Sequence, residues 1–274
     1  MINFNGNIVE DANLNLSSNN RALNYGDGVF DTIKVKNGTI HFLEDHYFRL
    51  MASLRMLRMT IPMEFTLAFF KEQLTKTVVA NNFENARVKL IVFRKEGGKY
   101  TPVTNEIDFL ISAEPLIENL KKEYEIDIFK DYYISSGLLS TIKTTSKITN
   151  VLASIYANEN DFDNCILLNQ NKNVVEAING NVFLVFGNTI KTPKLADGCI
   201  KGIIRKKIIE IISKLPQFEL EETQISPFDL QKADEIFITN AIVEIQPVSV
   251  YKKNEYKKDI SELLSKELKK LVER

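Results

Sequence analysis

The sequence predicts a mixed α/β fold of the α+β class, divided into two domains. Alternating apolar residues flank two Asn-Gly pairs in the first 43 residues and indicate β-hairpins there. Apolar residues at helical spacing follow, and runs rich in β-branched residues then indicate further strands. Both kinds of element recur after a polar stretch at 116–125. The 274 residues, 44% of them hydrophobic, suffice for one large core or two smaller ones.

The pattern in the first half of the sequence predicts a small N-terminal α/β domain over residues 1–115, with a mostly antiparallel sheet. Asn-Gly pairs favour the left-handed backbone of a two-residue turn, so each hairpin should turn at its Asn-Gly. Leucines at helical spacing precede Pro62, which ends the first long helix. The predicted elements are hairpins at 2–9 (turning at Asn5-Gly6) and 28–43 (turning at Asn37-Gly38), helices at 43–59 and 64–81, and strands at 87–94 and 107–113.

The polar stretch at 116–125 is predicted to link this domain to a larger one over residues 126–274. The second domain also mixes helices and strands. Its basic C-terminal segment is interleaved with acids, as on a solvated helix face. The predicted elements are strands at 124–129, 165–168, 181–186 and 235–239, and helices at 149–159, from about 202 and from about 260.

Composition narrows the class of protein. The formal charge of −1 gives no reason to expect a nucleic-acid partner, and no apolar run is long enough for a membrane helix. The N-terminus lacks the pattern of a secretory signal. Cys165 and Cys199 lack metal-ligand spacing, so we expect unpaired thiols, no metal and a cytoplasmic protein. With only two histidines, a histidine-rich metal site or a Ser-His-Asp triad is disfavoured.

A lysine region and a later carboxylate suggest chemistry. Lys143 follows Ile142 and precedes three hydroxyl residues, a setting in which partial burial would favour a neutral amine. Lys147 is an alternative four residues later, and either lysine could equally be an ordinary surface residue. Glu176 lies 33 positions after Lys143, near the end of a predicted strand. An amine for a Schiff base and an anion for a pyridine nitrogen are what pyridoxal phosphate (PLP) requires.

Other residues could hold a phosphate or a substrate carboxylate. Gly198 and Gly202 lead into a predicted helix whose first N–H groups, at Ile203 and Ile204, could bind phosphate. Arg49 could supply a cation, although an arginine there usually pairs with an acid. The remaining candidates are Asn240 and Ala241 after a strand, and Arg94 with Tyr100 near a glycine-containing loop. An ordinary turn or a surface loop would explain each of these equally well.

The order of these segments resembles the class IV aminotransferases, the fold-type IV PLP enzymes. This group includes branched-chain and D-amino acid aminotransferases and 4-amino-4-deoxychorismate lyases. The resemblance selects Lys143 over Lys147 as the Schiff-base lysine and implies PLP as cofactor. It makes Glu176 the partner of the pyridine nitrogen and Arg49 a phosphate ligand. The matching segments are 20–32, 44–50, 142–153, 164–168, 175–183, 192–193, 202–205 and 233–248.

The resemblance also has departures. Ile204 and Ala241 stand where many transaminases have a hydroxyl residue, so phosphate binding would depend more on backbone N–H groups and Arg49. No tyrosine follows Lys143 before Tyr156, which argues against the branched-chain subgroup. Phe30 and Thr32 match the lyase pattern and are candidate substrate residues, whereas the segment 243–248 is more like that of a transaminase.

The resemblance therefore implies three possible functions. The first is amino-group transfer from an amino acid to a 2-oxo acid. The second is elimination of pyruvate from aminodeoxychorismate, as a lyase. The third is a PLP-binding protein without turnover, which the intact Lys143 and Glu176 disfavour. The family also implies a homodimer, with an active site between the domains that the neighbouring subunit completes.

Overall fold

The structure is a computed structural model that describes residues 1–272. Within these residues the chain forms seven α-helices and sixteen β-strands in three sheets, which confirms the mixed α/β class. Two compact units are present. The first comprises residues 1–118 together with Lys143–Ser146, and the second comprises 119–142 and the chain from Lys147 onward. The predicted division at 1–115, 116–125 and 126–274 did not foresee that the lysine segment belongs with the N-terminal unit.

The first unit is built on one six-stranded antiparallel sheet in the order β2-β1-β6-β5-β3-β4. Helices α2 and α3 pack on one of its faces. Both predicted Asn-Gly turns are present, with positive φ at each asparagine and glycine. The elements are β1 (Ile2–Phe4), β2 (Asn7–Val9), α1 (Arg21–Tyr25), β3 (Gly28–Lys36), β4 (Thr39–Ile40), α2 (Leu43–Met56), α3 (Leu67–Ala80), β5 (Ala86–Arg94) and β6 (Ile107–Pro115).

The second unit contains two five-stranded sheets, in the orders β16-β15-β7-β8-β9 and β12-β11-β10-β13-β14. The elements are β7 (Glu125–Ile134), α4 (Ile148–Glu159), β8 (Asn164–Asn169), β9 (Val174–Ala177), β10 (Asn181–Phe186), β11 (Thr189–Pro193), α5 (Ile203–Ile212), β12 (Glu219–Thr223), α6 (Pro227–Lys232), β13 (Glu235–Asn240), β14 (Glu244–Pro247), β15 (Val250–Tyr251), β16 (Asn254–Glu255) and α7 (Asp259–Val272).

The core of the second unit joins its two sheets. Fully buried aliphatic residues of β8, β10 and β13 form one cluster, and α4 covers a second cluster on β7 and β8. Residues 164–169 and 174–177 are buried at every position, which agrees with strands covered on both faces. The cores therefore hold β9 and the start of α4 in fixed positions.

The predicted helices and strands are all present, with ends shifted by a few residues. Several short elements were not predicted, because their sequences are too short or too charged to show a clear period; they are α1, β11, β12, α6 and β14 to β16. Cys165 and Cys199 are free thiols, as predicted, and both are buried. In the part of the chain that the structure describes, no helix has the length and apolar character needed to span a bilayer.

Candidate functional site

The lysine segment of the first unit is fixed by its backbone to the edge of β3. The Phe30 N–H donates to the Lys143 carbonyl over 2.8 Å, and the Thr145 N–H donates to the Gly28 carbonyl over 3.0 Å. A Cβ at position 28 would lie 3.0 Å from the Val92 carbonyl oxygen and 3.4 Å from Thr145, so a larger residue would push these neighbours apart. The backbone around Lys143 therefore pairs with β3 through hydrogen bonds like those between neighbouring strands of a sheet.

The Lys143 side chain lies against an aromatic ring of β3. Its Nζ is 4.7 Å from the centroid of the Phe30 ring, and the Lys89 Nζ lies 5.4 Å from the same centroid. Thr32 pairs directly with Lys89 across the sheet, and side chains two residues apart on a strand share a face. Phe30, Thr32 and Lys89 therefore line the sheet face next to the Lys143 amine. Phe30 and Thr32 are two of the predicted substrate residues.

The opposite face of β3 carries a buried acid. Asp31 is only 2% exposed, and its Oδ1 accepts a hydrogen bond of 2.5 Å from Arg49 Nη2 on α2. His46 Nδ1, also on α2, lies 3.1 Å from the same oxygen. Burial by itself would raise the pKa of Asp31, but the charges of Arg49, His46 and Lys143 hold that pKa well below its usual range. The Asp31 carboxylate fixes the Arg49 guanidinium, which was the predicted phosphate ligand.

Replacing Asp31 by asparagine should lower the free energy of unfolding. The variant leaves the Arg49 guanidinium without its counter-charge, and breaking a buried ion pair costs about 3 kcal/mol of unfolding free energy. Because the folded-state pKa is depressed, the carboxylate contributes its full stability above its unfolded pKa of about 4 and loses it as the pH falls further. Denaturant melts at several pH values should show the full difference at pH 7 and a smaller one at pH 3.

The matched control is Glu114→Gln, which removes the acid of an exposed pair with Arg87. Exposed pairs contribute little to stability, so this variant should melt like the parent protein at every pH. If Asp31→Asn also melts like the parent at pH 7, the Asp31 cluster does not stabilise the fold.

Arg94 anchors a loop in the first unit. Its Nε donates to Asp27 over 2.9 Å and Nη2 to the Leu57 carbonyl over 2.7 Å, while Nη1 contacts Asn105 and the Arg58 carbonyl. These acceptors all belong to the protein, and through them Arg94 holds the ends of the loop at 95–106. Its contact with a substrate carboxylate stays a prediction.

Tyr100 lies in the same loop and is 91% exposed. Its ring centroid is 5.7 Å from that of Tyr25, whose ring also contacts the Arg21 guanidinium. Arg21 in turn donates to the Gly97 and Lys99 carbonyls over 3.1 and 2.6 Å. The loop is therefore attached to α1, and the exposed Tyr100 ring remains a candidate for substrate contact.

In the second unit, Glu176 is the penultimate residue of the short strand β9, near a strand end as predicted. It is only 4% exposed and pairs with Leu167 of β8. Its Oε2 accepts a hydrogen bond of 2.8 Å from the Ile200 N–H. A buried carboxylate held in one orientation by a backbone donor is suited to binding a cationic partner.

The segment before α5 is tightly packed against Asn181. Asn181 Nδ2 donates to the Ile200 carbonyl over 2.8 Å, and a Cβ at Gly202 would lie 2.0 Å from Asn181 Oδ1. Gly202 is therefore required here, and it is the N-cap of α5 with no side-chain cap. The N–H groups of Ile203 and Ile204 begin the helix and have no intrahelical acceptor, so they are suited to an anion.

Asn240 and Ala241 begin a tight turn between β13 and β14. Asn240 Oδ1 accepts hydrogen bonds of 3.0 Å from the Ile242 and Val243 N–H groups. The asparagine side chain therefore serves the turn itself, which leaves its backbone and that of Ala241 as the candidate anion donors. Glu244 closes the turn with a φ of 64° and is 8% exposed. Left-handed backbone at a buried glutamate is costly and is typical of functional sites.

Two charged residues on the strands next to the lysine segment, Asp31 and Lys89, were not among the predicted site residues. Asp31 alternates with the apolar residues Val29, Ile33 and Val35 on one face of β3, and a buried acid requires a partner, so its position was a usable signal. Lys89 alternates with buried Val88 and Leu90 on β5, which marks it only as facing away from the helices. Its position beside Phe30 and Thr32 depends on strand register, which the sequence did not provide.

The model of the family described as "Amino-transferase class IV" matches residues 28–251. The chain is 30% identical over 251 residues to a Methanocaldococcus jannaschii protein named "Putative branched-chain-amino-acid aminotransferase", covering 90% of this chain and 86% of that protein. It is 28% identical over 239 residues to the aminodeoxychorismate lyase of Vibrio harveyi, covering 84% of each.

A solved structure of a branched-chain aminotransferase has a similar fold. The branched-chain aminotransferase of Thermoproteus uzoniensis superposes with a TM-score of 0.90 at 25% identity, covering 99% of this chain and 94% of that one. The fold is therefore that of the fold-type IV enzymes, as the resemblance predicted. Together with the family match over 28–251, this establishes that the chain belongs to the class IV aminotransferase family.

Proposed function

We propose that the protein is a PLP-dependent aminotransferase that moves an amino group between an amino acid and a 2-oxo acid. The observation that carries the proposal is the lysine fixed to β3. Its backbone is held by Phe30 and its amine lies 4.7 Å from the Phe30 ring. Membership of the class IV family supports a reaction of this general kind.

The donor groups of the chain fit PLP. Lys143 offers an amine and Glu176 a buried carboxylate with a fixed orientation. The first N–H groups of α5, at Ile203 and Ile204, would hold the phosphate with Arg49 and the backbone of Asn240 and Ala241. Gly202, which has no Cβ, leaves room for the Asn181 side chain at the start of α5, so that the first turn of the helix keeps its position. When bound, PLP supplies an aldehyde and an electron-withdrawing ring that stabilises negative charge on the substrate Cα.

Each residue then has a defined task. The Lys143 Nζ would anchor the cofactor and carry the proton of the substrate Cα as acid and base. The Glu176 carboxylate would hold a proton on the ring nitrogen, because a buried anion stabilises a neighbouring cation. The Asp31 carboxylate would hold the Arg49 guanidinium in place for the phosphate.

Aminodeoxychorismate lyase is the second candidate. Thr32 on β3 matches the lyase pattern, and the Vibrio harveyi lyase is 28% identical to this chain. A panel of half-reactions separates the two candidates. Spectral conversion of the bound cofactor by amino acids supports the aminotransferase. If no amino acid gives a half-reaction and aminodeoxychorismate yields pyruvate, the protein is a lyase. If neither occurs although PLP binds, the protein is a PLP-binding protein without turnover.

Lys89 is proposed to bind a carboxylate of the substrate. It faces Thr32 and the Phe30 ring, and among residues 1–272 it has no ion pair, whereas the nearby Lys34 is neutralised by Glu118. Replacing Lys89 by methionine keeps the chain length and removes the charge. A charged hydrogen bond is worth about 1.5–3 kcal/mol, so kcat/KM for a dicarboxylate substrate should fall roughly 10–100-fold.

Steady-state kinetics with a dicarboxylate and a monocarboxylate amino donor test this role. The loss in Lys89→Met should be larger for the dicarboxylate, and Lys89→Arg should recover much of it. The exposed Lys95→Met is the control and should leave both donors unaffected. Equal small effects on both donors would remove Lys89 from the site.

We further propose that the protein is a homodimer, as its family resemblance implies. Ile148, Val151 and Ile155 of α4 are 64%, 51% and 48% exposed, and their spacing places them on one helix face. An apolar face of this kind is suited to a second copy of the chain. Light scattering should give twice the chain mass of 31.4 kDa, and Val151→Arg should lower it. A monomeric parent protein at micromolar concentration would contradict the proposal.

A further inference from the structure

Lys147 occupies an unfavourable position for a cation. It is the N-cap residue of α4, where the helix dipole repels positive charge and where Ser, Thr, Asp or Asn is preferred. Its side chain is partly buried and makes no capping hydrogen bond to the helix. Residues that break local rules in this way are expected at functional positions.

The charge that acts on Lys147 is that of Glu176. Helix α4 packs on β7 and β8, and β8 pairs with β9, which carries Glu176. One turn into α4, Asn150 Nδ2 donates to the Ile178 carbonyl over 2.8 Å, two residues beyond Glu176. The start of α4 is thus tied to the end of β9. Burial lowers the pKa of Lys147, and the Glu176 carboxylate opposes this shift.

Other titratable groups around the pair do not replace Glu176. Burial, helped by the charge of Glu176, raises the pKa of the Cys199 thiol to about 12. The thiol therefore stays neutral. On β7, Asp127 accepts a hydrogen bond from Tyr156, which lies two turns beyond Lys147 on α4. Lys147 is therefore a cation coupled mainly to the carboxylate that the proposed function assigns to the cofactor ring.

We propose that Lys147 is a positioning residue that tunes the proton affinity of Glu176 and of its ring-nitrogen partner. A second cation near a carboxylate stabilises its ionised form, so Lys147 weakens the hold of Glu176 on the proton of the ring. The role of Lys147 at the ring rests on the proposed function. The electrostatic coupling between Lys147 and Glu176 does not, because both residues belong to the second unit.

The coupling is tested first on the full chain freed of cofactor. Lysines are dimethylated with ¹³C and titrated by NMR, and the Lys147 signal is assigned by its absence in Lys147→Arg. Glu176→Gln should lower the pKa of Lys147 further, since it removes the carboxylate charge that opposes the effect of burial. The exposed Glu255→Gln is the control and should leave the signal unchanged. An unchanged Lys147 pKa in Glu176→Gln overturns the inference.

The second test uses PLP labelled with ¹⁵N in its ring, bound to the parent protein, Lys147→Met and Lys147→Arg. In Lys147→Met the ring nitrogen should lose its proton at a pH about one unit higher, while Lys147→Arg should follow the parent. Identical titrations of the parent and Lys147→Met overturn the tuning role. Failure of the parent protein to bind PLP overturns the proposed function and the tuning role together, whereas the cofactor-free coupling would still be measured.

Discussion

Lys143→Ala should give a colourless protein with amino-transfer activity reduced by at least about 10³-fold, because it removes both the cofactor anchor and the proton carrier. The fold should persist. The Lys143 segment is held by its backbone, through the Phe30 N–H and the strand-like pairing of Thr144 with Val29, and these contacts do not involve the side chain. Absorbance of the purified protein and rates of single half-reactions measure the effect.

Two lysine controls make the result specific. Lys130 is exposed on β7, and Lys130→Ala should remain yellow and active. Lys147→Ala should also remain yellow, because the proposed anchor is Lys143. A colourless Lys147→Ala together with a yellow Lys143→Ala would reverse the assignment of the two lysines.

Glu176→Gln should lower the half-reaction rate by on the order of 10²-fold, a loss similar to that from removing one preorganised electrostatic group from an active site. Glutamine keeps the length of the side chain and an oxygen that can accept the Ile200 N–H, which now donates to Glu176 over 2.8 Å. It cannot stabilise a protonated ring nitrogen, so the ring withdraws less charge from the substrate Cα. Stopped-flow absorbance after mixing with amino donor measures this rate.

Glu176→Asp is the matched variant, since it keeps the negative charge on a shorter side chain. It should be slower than the parent but faster than Glu176→Gln, and thermal melts should show all three proteins folded. Equal rates for Glu176→Gln and the parent would mean that Glu176 is only a buried structural acid on β9.

Local sequence chemistry predicted much of the fold. The Asn5-Gly6 and Asn37-Gly38 turns require positive φ at both residues, which that dipeptide favours, and both are present. The long helices showed a clear apolar period. The parallel strands β11 and β12 did not, because β12 is rich in glutamate and its pairing with β11 spans a helix between them. Such pairing depends on tertiary contacts that no local pattern reveals.

The candidate site was likewise predicted only in part from the sequence. Lys143 and Glu176 were proposed as site residues from the order of motifs along the chain. The partners of Asp31 and the position of Lys89 depend on which residues share a sheet face, and this follows from register rather than from composition. Arg94 was predicted to contact a ligand because it lies beside a glycine-containing loop, and the sequence contained no sign of its internal partners. Its acceptors at Asp27, Asn105, Leu57 and Arg58 come from three separate segments and could not be predicted.

The central claim is that Lys143, and not Lys147, forms the covalent link to PLP. Borohydride reduction of the loaded protein fixes that link, and mass spectrometry of the digested chain then locates the added pyridoxyl group. The account predicts the modification on Lys143, stoichiometric with the chain and absent when an amino donor is added before reduction. A modification on Lys147, or one spread over surface lysines and insensitive to the donor, would contradict it.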